Sequence, residues 1–246
     1  SKNELLILMT VGMSTIAGSV MVIYTTMLAP IYGLGLIGHF LTASLISVPA
    51  AIMYANMMIP SDTKTDFPAD DSSKMYTSTV DAITRGTQSG IDIFLNVAAM
   101  LIVVMALVYL VNAMLGIFPD IQGQPLTMER IVGWIFAPLA WSMGIPCQES
   151  QAAGELLGVK TILNEFVAYI YLADTSTYVL SEKSSLIMLY ALCGFANFSS
   201  VGILLSGMSA MVPERHEDLI AVSLKALWGA LLASCMTGFI VGILYL

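Results

Sequence analysis

The sequence predicts an all-α membrane protein: transmembrane helices, some of them broken, with one re-entrant helical hairpin. Three observations predict it. The chain is 57% hydrophobic and only 11% charged, with a mean hydropathy of +0.84, whereas soluble domains carry about 25% charged residues. Too few polar side chains remain for a wetted surface, so most of the surface must face lipid. Apolar stretches recur at the ~20-residue length that crosses a bilayer as a helix. Two polar knots, 158–169 and 194–200, sit inside apolar runs, where ionisable groups are expensive and face a cavity, a pathway or a partner.

Residues 5–59 read as two spans. The first, 5–28, is interrupted by Ser14-Thr15-Ile16-Ala17-Gly18-Ser19. Small and hydroxyl residues there serve either close helix packing or an unwound turn whose carbonyls and hydroxyls hold a cation. Pro30 and Gly33 mark a connection. The second span, 34–59, contains His39, read as interfacial or packing, and Pro49, where loss of a hydrogen bond predicts a kink. Residues 60–90 are a polar linker, rich in Asp and Pro, followed from Val80 by an interfacial lead-in helix. The apolar helix over 91–118 reads as scaffold. Residues 128–171 contain Pro138, Gly144 and Pro146 and then a polar run. Two short broken pieces predict a re-entrant hairpin, and irregular backbone at membrane depth requires burial in protein or a water-filled cavity. Residues 185–246 read as two further spans. The first holds the second knot; the second carries Gly229, Ala233, Gly238 and Gly242 for close helix contacts.

The knots define the chemistry. Glu165, when ionised, only accepts hydrogen bonds, so it suits hydroxyl donors; Asn164 and Asn197 donate and accept, as do Ser199 and Ser200. Asn197 and Ser200 are spaced to share a helix face, and Phe195 would lie against a flat ligand if the helix unwinds there. This set fits a polyhydroxyl ligand with an aromatic part. The alternative is structural: Glu165 pairs with Lys160 and Asn197 bridges two helices. A net charge of −8 argues against a nucleic-acid partner, since such surfaces are basic. Cys147, Cys193 and Cys235 are an odd number in or beside apolar runs, expected to be buried and free, with no metal spacing. No nucleophile–base set is present, so no enzyme is expected, and no cofactor. No cleavable signal peptide is visible.

Several stretches carry a family resemblance. Gly158-x-Lys160-x-x-x-Asn164-Glu165-Phe166-Val167-Ala168-Tyr169 and Leu192-Cys193-Gly194-Phe195-Ala196-Asn197-Phe198-Ser199-Ser200 resemble the two signatures of the concentrative nucleoside transporters; Trp134-x-Phe136-Ala137-Pro138-Leu139-Ala140-Trp141 and Ser14-Thr15-Ile16-Ala17-Gly18 are also similar. The resemblance implies a homotrimeric, multi-pass plasma-membrane carrier (inner membrane, if bacterial). Each protomer would have a scaffold part and a transport part with two hairpins and two broken helices, driven by sodium or protons. It implies that Glu165, Asn197 and Ser200 hold ribose hydroxyls, with Asn164 beside them. Phe195 would line the sugar, Val20 would pack near the base, and Thr15 with the carbonyl of Ile16 would form part of a sodium site. The family's upstream hairpin, with its Gly-Gln-Thr-Glu motif, is not among these residues. The expectation is therefore an incomplete carrier that works with a segment or chain bearing that half. The alternative is a non-transporting subunit derived from such a carrier.

Overall fold

The computed structural model describes residues 1–33, 35–61, 77–121, 123 and 125–245, leaving aside the side chains of 89, 92, 93, 96, 97, 100, 101, 104 and 210. Most of the 60–79 linker lies outside the described residues. The first apolar stretch forms α1 (Lys2–Ser14) and α2 (Gly18–Tyr32). The break falls at Thr15–Ala17, within the Ser14–Ser19 cluster, where Thr15 is extended. Pro30 lies inside α2, and the turn is made at Gly33, with φ +84°. α3 (Leu36–Met58) runs through Pro49 without a break.

The lead-in and the scaffold stretch are one helix, α4 (Thr79–Leu115), begun by Ser78, whose hydroxyl accepts from the Asp81 amide. Asn112 ties its end to the next helix: its Nδ2 donates to Glu129 and its Oδ1 accepts from the Met128 amide. Residues 128–171 contain the expected fold-back, a sharply bent helix pair, but as three helices rather than two arms. They make α5 (Met128–Ser142), α6 (Cys147–Ile162) and α7 (Glu165–Ala173). α5 and α6 fold back on each other at 119°. The second break, at Leu163–Asn164, separates α6 from α7. α5 and α6 approach closely because Gly133, Gly154 and Gly158 face each other's helix; a methyl group on Gly158 would come within 2.6 Å of Val132.

The 185–211 stretch is also two half-helices, α8 (Glu182–Leu192) and α9 (Phe198–Met211), separated at Cys193–Asn197. After a short 3₁₀ turn, α10 (His216–Leu244) closes the chain. It packs against α1, α3 and α8 and is the most enclosed of the long helices. Its glycines make the contacts expected of them: Gly229 faces Thr10, and Gly238 faces Ile187 and Ala191. The core around it contains Leu6, Met9, Phe40, Leu157, Leu192 and Leu227, all buried. Outward-facing side chains are apolar too, among them Leu45, Tyr109 and Ile117, exposed by 74, 78 and 84%. That is the pattern of a protein whose solvent is lipid. Among the described residues, three helical stretches, or four counting the bent pair, are long and apolar enough to cross a membrane.

Candidate functional site

The three helix breaks meet. Gly194, at φ +116°, lies so close to the first break that a side chain there would come within 2.6 Å of the Ser14 carbonyl oxygen. Only glycine satisfies both the left-handed backbone and the close approach. Ser44 of α3 supports the same junction, its hydroxyl accepting from the Ile16 amide at 3.1 Å. Around these breaks lies a cavity of 540 Å³, within the range of small-molecule sites.

Glu165 is the charged group on its wall. It is the first residue of α7 and 4% exposed. One donor reaches each carboxylate oxygen: Tyr24 of α2 donates its hydroxyl to Oε1 at 2.9 Å, and Asn197 donates Nδ2 to Oε2 at 2.8 Å. Asn197 has a second task. It caps α9, its Oδ1 accepting from the Ser200 amide at 2.7 Å. Asn164 caps α7 in the same way, accepting from the Val167 amide at 2.9 Å. α7 and α9 therefore both begin at the cavity. The partial positive charge at a helix N-terminus favours an anion, which accounts for a carboxylate among apolar helices. Half-helices that break at a shared polar centre are also the architecture of discontinuous-helix carriers.

The cavity is lined by Val20, Asn164, Glu165, Phe195, Asn197 and Ser200, six of the eight site residues singled out from the sequence. Thr15 and Ile16 are not on its wall. They sit at the first break, between wall residues Met13 and Ala17, with the Thr15 hydroxyl donating to the Val11 carbonyl at 3.2 Å. Asn197 and Ser200 are neighbours, but through the cap rather than a shared helical face: Asn197 precedes the helix, and the Ser200 amide is what meets it.

The structural alternative for Glu165 fails at Lys160. Lys160 is fully buried, but its Nζ donates to the Ala191 carbonyl at 2.9 Å. Among the described residues it forms no ion pair with Glu165 within 4 Å. Ala191 is in the last turn of α8, a helix end that favours a cation. Lys160 thus fastens α6 to α8 just ahead of the third break. His39 is a packing histidine, edge-on to Tyr190 with Nδ1 2.9 Å from its hydroxyl. Cys193 and Cys235 are buried, but Cys147 is exposed, because it opens α6 at the α5–α6 turn.

Tyr24 was missed from the sequence. In an apolar run it reads as core, and its ring does pack on Phe40, Phe166 and Tyr169. The available signal was its spacing from Val20, one helical turn away on the same face.

The geometry thus defines a class, an α-helical membrane protein whose broken helices surround a ligand cavity. A family model described as Na+ dependent nucleoside transporter C-terminus matches residues 39–242. The chain belongs to that family. It is 34% identical to the nucleoside permease NupC of Helicobacter pylori, over 99% of this chain and 58% of that one. It is 35% identical to an uncharacterised transporter, YutK, of Bacillus subtilis, over 98 and 59%. It is 35% identical to human solute carrier family 28 member 3, over 99 and 37%. Among solved structures it resembles CNTnw in an inward-facing substrate-bound state, with a TM-score of 0.82 at 32% identity, covering 99% of this chain and 57% of that one. The chain thus spans rather more than half the length of the bacterial relatives it matches. With the lipid-facing surface, these relationships identify an integral, multi-pass membrane protein.

Proposed function

We propose that this chain forms the sugar-recognising part of a carrier that takes nucleosides across a membrane by cation symport, with sodium as the coupling ion. The observation that carries the reading is the Glu165 carboxylate, buried on the wall of a ligand-sized cavity and held by Tyr24 and Asn197. The carboxylate has lone pairs beyond those that Tyr24 and Asn197 engage, open to ligand hydroxyls. Glu165 accepts from the ribose hydroxyls, and Asn197 and Ser200 complete that contact. Phe195 lies along the sugar, and Val20 packs near the base. No Lys, Arg or His lines the cavity among the described residues, so an uncharged nucleoside suits it better than a nucleotide. The names of relatives point the same way: nucleoside permease in one case, sodium/nucleoside cotransporter 1 of mouse in another.

Thr15 and the Ile16 carbonyl contribute to the sodium site, in this reading. Its support is the break at Thr15–Ala17, which ends the helical hydrogen bonding of α1 and leaves final-turn carbonyls open to a cation. In this reading the complete carrier is a homotrimer and includes an upstream half. The test is uptake of radiolabelled uridine into proteoliposomes containing this chain together with that half. Accumulation that follows an inward sodium gradient is expected, and uridine entry indifferent to every cation gradient would contradict symport.

A further inference from the structure

Two polar groups on the cavity wall find nothing to bond. Among the described residues, Asn164 Nδ2 and Ser199 Oγ are the buried side-chain atoms without a hydrogen-bond partner. Both residues line the cavity and are 7 and 9% exposed. Buried polar groups are nearly always bonded, and leaving one unpaired destabilises the fold. Two such atoms, carried by residues that line one cavity, point to a partner that arrives from outside.

The two asparagine caps sharpen the contrast. Asn197 and Asn164 each spend Oδ1 on a helix amide. Asn197 also spends Nδ2, on Glu165. Asn164 does not. An amide nitrogen can only donate, and a serine hydroxyl donates when no donor faces it. Both lie at N-terminal ends of helices, α7 and α9, where the local potential favours electron-rich atoms. A full anion is disfavoured by the Glu165 carboxylate on the same wall.

We infer that Asn164 and Ser199 form a hydrogen-bond-donating subsite that takes an uncharged acceptor oxygen of the bound sugar, opposite in sense to the hydroxyl-accepting Glu165. This rests on the nucleoside reading given above. If Glu165 takes the vicinal hydroxyls, the acceptor left for the subsite is the furanose ring oxygen or the 5′ oxygen.

Asn164→Ser keeps a side-chain oxygen suited to capping α7 and removes the donor. Ser199→Ala removes a hydroxyl that makes no bond, so its ligand-free thermal midpoint should be unchanged or raised. Affinities for uridine, carbocyclic uridine (ring oxygen replaced by methylene) and 5′-deoxyuridine are measured on wild type and both variants, in the carrier with its upstream half. The wild type should bind one of the two analogues about tenfold more weakly than uridine, the size of one lost hydrogen bond in a buried site. Both variants should lose that preference by binding uridine more weakly. Wild-type preference retained in both variants, or a wild type that binds all three ligands alike, would overturn the subsite while leaving the nucleoside reading intact. A wild type that does not bind uridine would overturn the nucleoside reading itself, and the subsite with it.

Discussion

A carboxylate among apolar helices is tolerated when its oxygens are bonded, and Glu165 has a donor on each. Tyr24→Phe removes one of them and leaves the ring packing in place. The expected cost is about 1–3 kcal/mol of stability, the penalty for an under-bonded buried charge, read as a lower thermal midpoint in detergent. An unchanged midpoint would mean that Tyr24 merely fills space. At this scale the sequence was informative about which residues gather at the cavity and less so about how they meet. Glu165, Asn164 and Asn197 stand out because polar groups in apolar runs are rare. Lys160 stood out for the same reason, yet its partner is a carbonyl at the end of α8. Pairing by proximity in sequence fails here because α6 ends between Lys160 and Glu165. Tyr24 carried no such signal, since tyrosine is ordinary in a helical core.

The helix breaks organise the elements. The first was one of two readings of the Ser14–Ser19 cluster, and the third fell at the polar run from Gly194 to Ser200, in a stretch that read as a single span. The second was partly legible: Asn164 and Glu165 were conspicuous, but 128–171 read as a hairpin with two arms, while the chain forms three helices. Hydropathy cannot separate these cases, because a half-helix and a full span have the same composition. Gly194→Ala tests whether the third break needs its glycine. A methyl group there meets the Ser14 carbonyl and a left-handed backbone at once, each a source of strain of order 1–3 kcal/mol. The variant should give a lower yield of folded protein and a lower thermal midpoint. Wild-type values would show that the two breaks do not need their close contact. Gly238→Leu should also destabilise, by roughly 1–3 kcal/mol or more through overpacking against Ile187 and Ala191.

For the molecule as a whole, composition alone identified the solvent as lipid, and outward residues such as Leu45 and Ile117 accord with it. The proposed ion site adds a prediction at this scale, because coupling belongs to the assembled carrier. Thr15→Ala should raise the sodium concentration for half-maximal uridine uptake severalfold, while uridine affinity at saturating sodium changes little. Equal sodium dependence in the two proteins would remove Thr15 from the ion site. Glu165→Gln should leave the sodium requirement in place and act on the ligand instead.

That separation leads to the most direct test, the affinity of wild type and Glu165→Gln for uridine and for 2′,3′-dideoxyuridine, measured by calorimetry on the carrier with its upstream half. If Glu165 accepts the ribose hydroxyls, the substitution should weaken uridine binding about 10- to 100-fold, equivalent to ~1.5–3 kcal/mol for hydrogen bonds to a charged group. It should leave the already weak dideoxyuridine binding nearly unchanged. An equal loss for both ligands, or none for either, would contradict the account.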